Sequence, residues 1–472
     1  MTIFSATLII VMLVQLFALS SDSLIFLLCC VLCSLLFSVS MSFNPNSRFY
    51  HPYVFILLAT FIGVTLRGFY MVYQPDDERI NEFFLRNQNP AYFDMPTFML
   101  LTGMFAFVMA YRFTSGKLPL QRMPLFKMDY RWDQKKINWV TIIFFLIAAV
   151  GMFLFLRALG ISNILADLSG KRFVQVTDTG SSAGAEYTSF GYYRLMISFI
   201  QPLLYIYLLN FILTGKKIFS GSAIVLFIIV LANLFFPVFT SSRSDLLTIF
   251  LNVFIIISLA GKLTVRLVAP MGILAILLFA VVTVLRPAKN DSVSTAQNTA
   301  LLEPFIYNKN LLDVSKTAHI INNVPSKMQF QYGASFLALI YAPIPRQLWP
   351  NKPVLAMSKD IAQKIYGYNE KNMAGIPPGM AAEMYVNFGY AGILIGFFLA
   401  GILLKKAYNS FEFDEKGMNK NRVVLYVTIV VSITITLFGG SINQAILAIL
   451  QSYIPLWIAL RFITDFKKTD NV

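Results

Sequence analysis

The chain has 472 residues, of which 57% are hydrophobic and 13% charged, and its formal net charge is +15. Its mean hydropathy of +0.67 excludes an ordinary soluble globule and predicts an all-α polytopic membrane protein, with residues 1–472 forming one integral membrane domain. His51 and His319 are the only histidines, and the three cysteines fall inside one apolar segment. This composition argues against a His/Cys metal site, and we expect neither a cofactor nor a nucleic-acid partner.

Apolar segments of membrane-spanning length recur along the chain, and we predict about twelve transmembrane helices. Residues 3–20 are followed by many further apolar segments, which favours a retained first span over a cleaved signal peptide. The predicted spans are 3–20, 23–41, 51–70, 96–111, 138–156, 191–213, 219–239, 246–261, 267–285, 388–404, 423–440 and 443–461.

The distribution of basic residues predicts the orientation of these spans. An even number of spans puts both termini on one side of the membrane. The connection over 112–136 and the C-terminal tail are both rich in lysine and arginine. Since short cytoplasmic loops carry such an excess, we predict that both termini lie in the cytoplasm.

A second group of basic residues lies where spans meet the outer surface, and the positive-inside rule does not explain it. Arg67 ends the third span, where an arginine can either snorkel to headgroups or bind a ligand. Arg194 follows a Gly/Ser/Thr-rich loop over 158–190, which is either a lid or a plain solvated loop. Arg286 ends the ninth span, just before Pro287.

The tight turn TSSRSD joins the seventh and eighth spans and holds Arg243 and Asp245 at its outer mouth. Its serines and its aspartate suit the capping of the following helix. The same arrangement, an arginine beside exposed helix amides, also suits an anion site. Both interpretations stay open.

The segment 286–387 is a large external loop between spans nine and ten, too aromatic for a disordered tether. The stretch LLEPFIYNKNLLDVSKTAHIINNVP predicts an amphipathic helix with His319 on its buried edge. YGASFLALIYAPIP is too short to span and predicts a re-entrant piece, and MSKDIAQKIYGY predicts a helix stopped by Gly367. The prolines 377–378 predict an extended turn before Glu383.

The chemistry that these features suit is the binding of an anion near the outer leaflet. The sequence contains no P-loop, no GxGxxG and no HExxH. Arginine gives planar, bidentate donation to phosphate and keeps its charge, so several arginines at one membrane face suggest a partner that offsets their cost. A lipid-linked diphosphate fits, with its tail in the bilayer and a sugar head outside.

The strings YGASF, APIPRQLWPNKP and IPPGMAAEMYVNFG, together with the SRSDLL turn, resemble the oligosaccharide repeat-unit polymerases, the Wzy-type O-antigen polymerase family. The resemblance covers roughly residues 240–400 closely. It implies a GT-C-like membrane glycosyltransferase that joins undecaprenyl-diphosphate-linked oligosaccharides at the outer face of a bacterial cytoplasmic (inner) membrane. The product would be an O-antigen, capsule or exopolysaccharide. Membrane lipids, a chain-length regulator and a flippase are the expected partners.

The implied reaction needs cations that stabilise the leaving diphosphate and a base for the acceptor hydroxyl. Glu383 is the first candidate for the base, and the alternative for this residue is a structural role, either capping a helix or pairing with a loop arginine. The cationic candidates for catalysis are Arg243, Arg286 and Arg346. The further candidates, for substrate binding, are Arg67, Arg194, Lys352, Asp245, Asp313, His319 and Trp349. Of these, Asp245, Asp313 and His319 are also alternative bases.

Three other functions remain alternatives. A flippase or other transporter also needs many spans and membrane-facing cations, although the chain shows no convincing internal repeat. An O-antigen ligase-type transferase would use the same donor. A scaffolding protein would leave the interfacial arginines unexplained.

Overall fold

The structure is a computed structural model that describes residues 23–42, 50–73, 91–119, 131–158, 193–217, 220–239, 243–261, 270, 272–274, 277–278, 312–341, 349, 357–368, 375–411 and 419–465. These residues are predominantly helical, as the sequence predicts for a membrane protein. Apart from helices they include one short antiparallel pairing, in which β1 (Arg131–Trp132) lies against β2 (Thr464–Asp465).

The helices are numbered here in chain order. Two of them contain a π-helical turn, and a third is joined from α and π pieces; such turns are often found at functional sites. The helices of the first half are α1 (Leu24–Ser42), α2 (Pro52–Tyr73, π-helical over Phe61–Leu66), α3 (Ala91–Phe113), α4 (Gln134–Ala158), α5 (Tyr193–Leu213), α6 (Gly221–Phe239) and α7 (Arg243–Leu259). Those of the second half are α8 (Val314–Asn322), α9 (Ala334–Tyr341), α10 (Met357–Asp360, continued by the π turn Ile361–Ile365), α11 (Gly379–Phe411), α12 (Lys420–Tyr426, then the π turn Val427–Val431, then Ser432–Gly439) and α13 (Ile442–Ile463).

Seven of the helices in the described part are long and apolar enough to cross a membrane, which supports a multi-span membrane protein. They are α1 to α6 and α11, and each coincides with a predicted span. The predicted span 246–261 corresponds to an apolar helix that is shorter than these seven. The last predicted span, 443–461, overlaps another such helix, Ile449–Ile463. The predicted span 423–440 is helical as α12. The predicted span 3–20 and most of 267–285 lie outside the described residues, so twelve spans stay a prediction.

The membrane core is built by close helix pairs with buried aromatic side chains. Helix α3 packs against α11 and α1, where Phe107, Phe397 and Phe37 are buried. Small residues allow the closest approaches. A Cβ on Gly401 would lie 2.5 Å from the carbonyl oxygen of Phe107, so this pair of helices depends on glycine there.

The predicted external loop contributes helix α8 to this core. The predicted helix around His319 is confirmed as Val314–Asn322, and every residue from Val314 to Ile321 is buried. The preceding residue Leu312 contacts α2 closely, since a Cβ on Gly63 would lie 1.4 Å from its carbonyl oxygen. Helix α8 therefore packs against α2, α3 and α11 rather than lying on the surface.

The end of the predicted loop differs from expectation. Residues 375–378 belong to no helix or strand, and helix α11 already begins at Gly379, so Glu383 lies inside a helix. The predicted span start at 388 coincides with a break in α11, where Phe388 and Gly389 leave helical geometry. Gly389 has φ +65°, which glycine adopts without strain. Helix α10 is confirmed, and Gly367 (φ +69°) follows it closely.

Candidate functional site

The centre of the candidate site is a buried ion pair between Arg67 of α2 and Asp313. The Nη1 atom of Arg67 lies 2.5 Å from Oδ2 of Asp313, and both side chains are only 3–4% exposed. Asp313 is also the N-cap of α8, because its Oδ1 accepts from the amides of Ser315 (3.1 Å) and Lys316 (3.2 Å) and from the Ser315 hydroxyl. The carboxylate thus joins a membrane span to the loop helix.

A third charge, Lys316, lies in the first turn of α8 and is also buried. Burial lowers the pKa of Lys316 to about 8; Asp313 opposes this shift, and Arg67 adds to it. Burial alone would raise the pKa of Asp313, but Arg67, Lys316 and the Ser315 hydroxyl lower it below its ordinary value. Lys316 and Asp313 therefore remain charged at pH 7 inside the protein, beside the Arg67 guanidinium. We call these three residues the cation cluster.

One side of α8 next to the cation cluster carries a polar and aromatic network centred on His319. Its Nδ1 lies 3.2 Å from the hydroxyl of Tyr92 on α3, and its ring packs edge-on against Tyr366 at 4.8 Å between centroids. Asn323 donates to the Tyr92 hydroxyl at 3.2 Å, and Asn322 donates to the Tyr92 carbonyl at 2.7 Å. Burial and then Lys327 lower the pKa of His319 to about 4, so its imidazole is neutral at pH 7.

The cation cluster suits the binding of an anion. Charges that are shielded from water interact more strongly than the same charges at a surface, and two cations facing one carboxylate leave an excess positive charge. An arginine and a lysine together provide a bidentate donor and a point charge, both of which bind phosphate well. In the described part of the chain, no three His, Cys, Asp or Glu side chains come together as a metal site would require.

Glu383 occupies a different position from the cation cluster. Its side chain is completely buried in α11, and its Oε2 accepts from the backbone amide of Ile442 at 2.6 Å. It therefore caps the N-terminus of α13, where a negative charge is favourable. Its Oε1 is buried without a hydrogen-bond partner among the described residues. This geometry provides a structural role for the residue that the sequence predicted as a base.

The YGASF stretch contacts α11 at Asn387, just before the break in this helix. Asn387 accepts from the amide of Gly333 at 2.9 Å, and it donates to the Ser335 hydroxyl at 2.9 Å and to the Glu383 carbonyl at 2.8 Å. Backbone amides add to this contact, since Gln331 donates to the carbonyl of Val386 and Tyr332 donates to that of Asn387. Two of the four stretches that carry the family resemblance, YGASF and IPPGMAAEMYVNFG, thus meet at the break in α11.

The other predicted site residues are either exposed or lie outside the described residues, wholly or in their side chains. Asp245 is exposed in the first turn of α7, whose first residue is Arg243; the side chain of Arg243 lies outside the described part. Arg194 is exposed, with its guanidinium 5.9 Å from the ring centroid of Phe155, and Trp349 is also exposed. The remaining candidates, Arg286, Arg346 and Lys352, lie outside the described residues.

Sequence reasoning found Arg67, Asp313 and His319 separately but missed Lys316 and the pairing that joins them. A local signal for Lys316 was available. Asp313 precedes VSKTAHIIN, an arrangement typical of an N-cap, and the lysine then falls in the first turn, where cations are unfavourable without an anionic partner. The contact between Arg67 and Asp313 spans 246 positions of sequence, and no local pattern predicts it.

Comparisons of the chain with protein-family models, with curated proteins and with solved structures find no match.

Proposed function

We propose that this chain is a membrane glycosyltransferase that polymerises undecaprenyl-diphosphate-linked oligosaccharide units into a surface polysaccharide. The observation that supports the proposal best is the cation cluster: Arg67, Lys316 and Asp313, buried together where a membrane span meets the loop helix. A lipid-linked diphosphate combines the apolar tail, the phosphates and the sugar head that such a position would recognise. The GT-C type and the location in a bacterial cytoplasmic membrane, with the site facing outward, are parts of this proposal.

In the proposed complex the diphosphate takes the place of the Asp313 carboxylate on Arg67 and also contacts Lys316. Entry requires the start of α8 to separate locally from α2, because all three charged side chains are buried in the described structure. The exchange replaces one anionic partner of Arg67 by another, so the arginine is never left as an unpaired buried charge.

The chemical step transfers the growing chain onto a new lipid-linked unit. A hydroxyl of the new unit attacks the anomeric carbon of the growing chain, and a C–O bond forms there. The bond to undecaprenyl diphosphate breaks, the diphosphate leaves with the electron pair, and the hydroxyl proton passes to a base or to water. Arg67 and Lys316 stabilise the negative charge that develops on the leaving group.

Deletion of the gene in its own organism tests this function. We expect the mutant to carry single repeat units on the cell surface and no long chains, because flipping and ligation remain intact. Expression of the wild-type chain should restore long chains, whereas a Lys316→Gln variant at equal membrane abundance should not.

Two results would contradict the proposal. Single lipid-linked units that accumulate only on the cytoplasmic side would indicate a flippase. Long lipid-linked chains that are made but not transferred to their final acceptor would indicate a ligase.

A further inference from the structure

A group of aromatic side chains surrounds the contact between YGASF and the break in α11. Phe330 lies 6.2 Å from Tyr332 and 5.9 Å from Tyr385 between ring centroids, and Phe336 stacks on Phe388 at 6.3 Å. Tyr332 is 80% exposed and Phe388 is 49% exposed. We call these five residues the ring patch; the mechanism proposed above makes no use of it.

The most exposed ring of the patch is held in an unusual backbone conformation. Tyr332 has φ +47°, the only positive φ of a non-glycine residue in the described part of the chain. A residue with a side chain adopts this conformation at a cost, and such strain persists only where the surroundings impose it. Here the amide of Tyr332 donates to the carbonyl of Asn387 at 3.1 Å, and neighbouring Gln331 donates to that of Val386 at 2.9 Å.

The support beneath the ring patch is fully buried and fully hydrogen-bonded. The side-chain amide of Asn387 binds Gly333, Ser335 and the carbonyl of Glu383. Gly333 (φ +87°) is needed in addition because a Cβ there would lie 3.2 Å from the Phe388 ring. The backbone that carries the exposed rings is therefore held in place without a ligand.

Exposed rings on a backbone that is held in place suit a ligand with a defined shape better than fluid lipid. Acyl chains adapt to any apolar surface, and neighbouring α9 already offers them exposed Leu337 and Ile340. Rigid tyrosines provide a large amphipathic contact area at low entropic cost, which favours ligands that combine apolar and polar groups. A sugar ring has this character, with C–H groups on its faces and hydroxyls at its edge.

The ring patch also adjoins the cation cluster through a shared core. Ile320 of α8 is buried in the same cluster as Val386 of α11, and Phe330 packs against that cluster. Helix α8, which carries Lys316 in its first turn, thus contributes near its end to the core against which Phe330 of the ring patch packs.

We propose that the ring patch, with Tyr332 at its centre, binds the sugar part of the lipid-linked unit. This inference rests on the proposed function and deepens it, because it assigns the carbohydrate and the diphosphate of one substrate to two separate places. It predicts that Tyr332 affects affinity only when the lipid carries sugars.

A matched pair of ligands tests this prediction. The full-length chain in lipid nanodiscs is titrated with undecaprenyl diphosphate, and separately with the lipid-linked oligosaccharide extracted from the deletion strain. We expect Tyr332→Gly to weaken binding of the sugar-bearing lipid roughly five- to tenfold, since aromatic contacts have about that value. Its affinity for undecaprenyl diphosphate should change less than about twofold. Tyr332→Trp, which keeps a ring, should retain most of the affinity for the sugar-bearing lipid.

Two further variants keep the test decisive. Phe388→Leu should weaken the binding of the sugar-bearing lipid and leave the binding of undecaprenyl diphosphate unchanged. This variant does not alter the backbone at Tyr332. Phe113→Ala removes an exposed ring at the opposite end of α3 from Tyr92 and should change neither affinity.

Equal losses for both ligands in Tyr332→Gly, or no loss for either, would overturn the inference. If Tyr332→Gly selectively loses affinity for the sugar-bearing lipid but the wild-type chain makes no polymer, the polymerase function is rejected and the sugar site is retained. Failure of the folded wild-type chain to bind either lipid would overturn both.

Discussion

Lys316 is a buried cation that the sequence did not predict, because the sequence pointed mainly to arginines as the anion-binding residues. The sequence drew attention to arginines at span ends because they stand out against apolar neighbours. A lysine within a mixed loop has no such contrast. The docking of α8 shows that this lysine is buried, as Arg67 and Asp313 are. In the proposed function it shares the work that the sequence assigned to arginines.

The lowered pKa of Lys316 leads to a stability prediction. Between pH 8 and the ordinary lysine value of 10.5, the unfolded chain binds a proton at this position that the folded chain has released. Stability therefore rises with pH across this window through Lys316, and below it the charged lysine carries its full cost. We expect Lys316→Met to raise the melting temperature relative to wild type at pH 7, and this advantage should shrink between pH 8 and 10.

The control for this measurement is Lys364→Met, at a half-exposed lysine of α10. This substitution also removes one lysine from the chain, so it controls for the change in net charge. A difference between Lys316→Met and wild type that does not change between pH 8 and 10 would show that Lys316 is not buried as a charge.

One substitution at Glu383 can distinguish its role as the cap of α13 from the predicted role as the general base. Glu383→Gln keeps an oxygen that accepts from the Ile442 amide, so we expect a loss below about 1 kcal/mol in the free energy of unfolding and a loss of activity below about tenfold. Glu383→Ala removes the cap and should cost about 0.5–2 kcal/mol. A folded Glu383→Gln variant whose polymerisation falls by about 10²–10⁴ would instead identify the carboxylate as the general base.

At the scale of elements, the sequence predicted which segments are helical better than it predicted where they lie. The periodicity of apolar residues around His319 correctly predicted α8, and Gly367 correctly predicted the end of α10. The burial of α8 between spans could not be predicted, because Ser315, Lys316 and Thr317 are polar residues whose partners come from distant parts of the chain. The same reason explains why Asn387 was missed.

The docking of α8 against α2 depends on Gly63. A methyl group there would meet the Leu312 carbonyl, and neither backbone can move without disturbing the ion pair of Arg67 and Asp313. We expect Gly63→Ala to lower the free energy of unfolding by about 1–3 kcal/mol, as overpacking does, and to reduce polymerisation with it.

Gly221→Ala is the matched control, since a Cβ at Gly221 in α6 meets nothing within 4 Å. Thermal melting in nanodiscs should show a decrease for the Gly63 variant and little change for the Gly221 variant. Equal melting temperatures for Gly63→Ala and wild type would mean that α8 does not dock on α2.

At the scale of the whole molecule, composition alone established a helical membrane protein, and the seven apolar helices of the described part agree with seven predicted spans. The remaining spans and the orientation stay predictions. The orientation depends on the distribution of lysine and arginine between the loops on the two sides of a membrane, and the structure contains no membrane. The proposed site was only partly predictable, since it is assembled from α2, α3, α8 and α11, whose contacts are distant in sequence.

The most direct measurement combines the purified chain in nanodiscs with the lipid-linked oligosaccharide from the deletion strain and resolves the products by size. We expect a ladder of polymers from the wild type and from Lys364→Met. We expect a loss on the order of 10²–10³ in rate from Arg67→Gln and from Lys316→Met at unchanged folding. A folded wild-type chain that binds the lipid but makes no ladder, or folded variants that make the wild-type ladder, would contradict the proposed function.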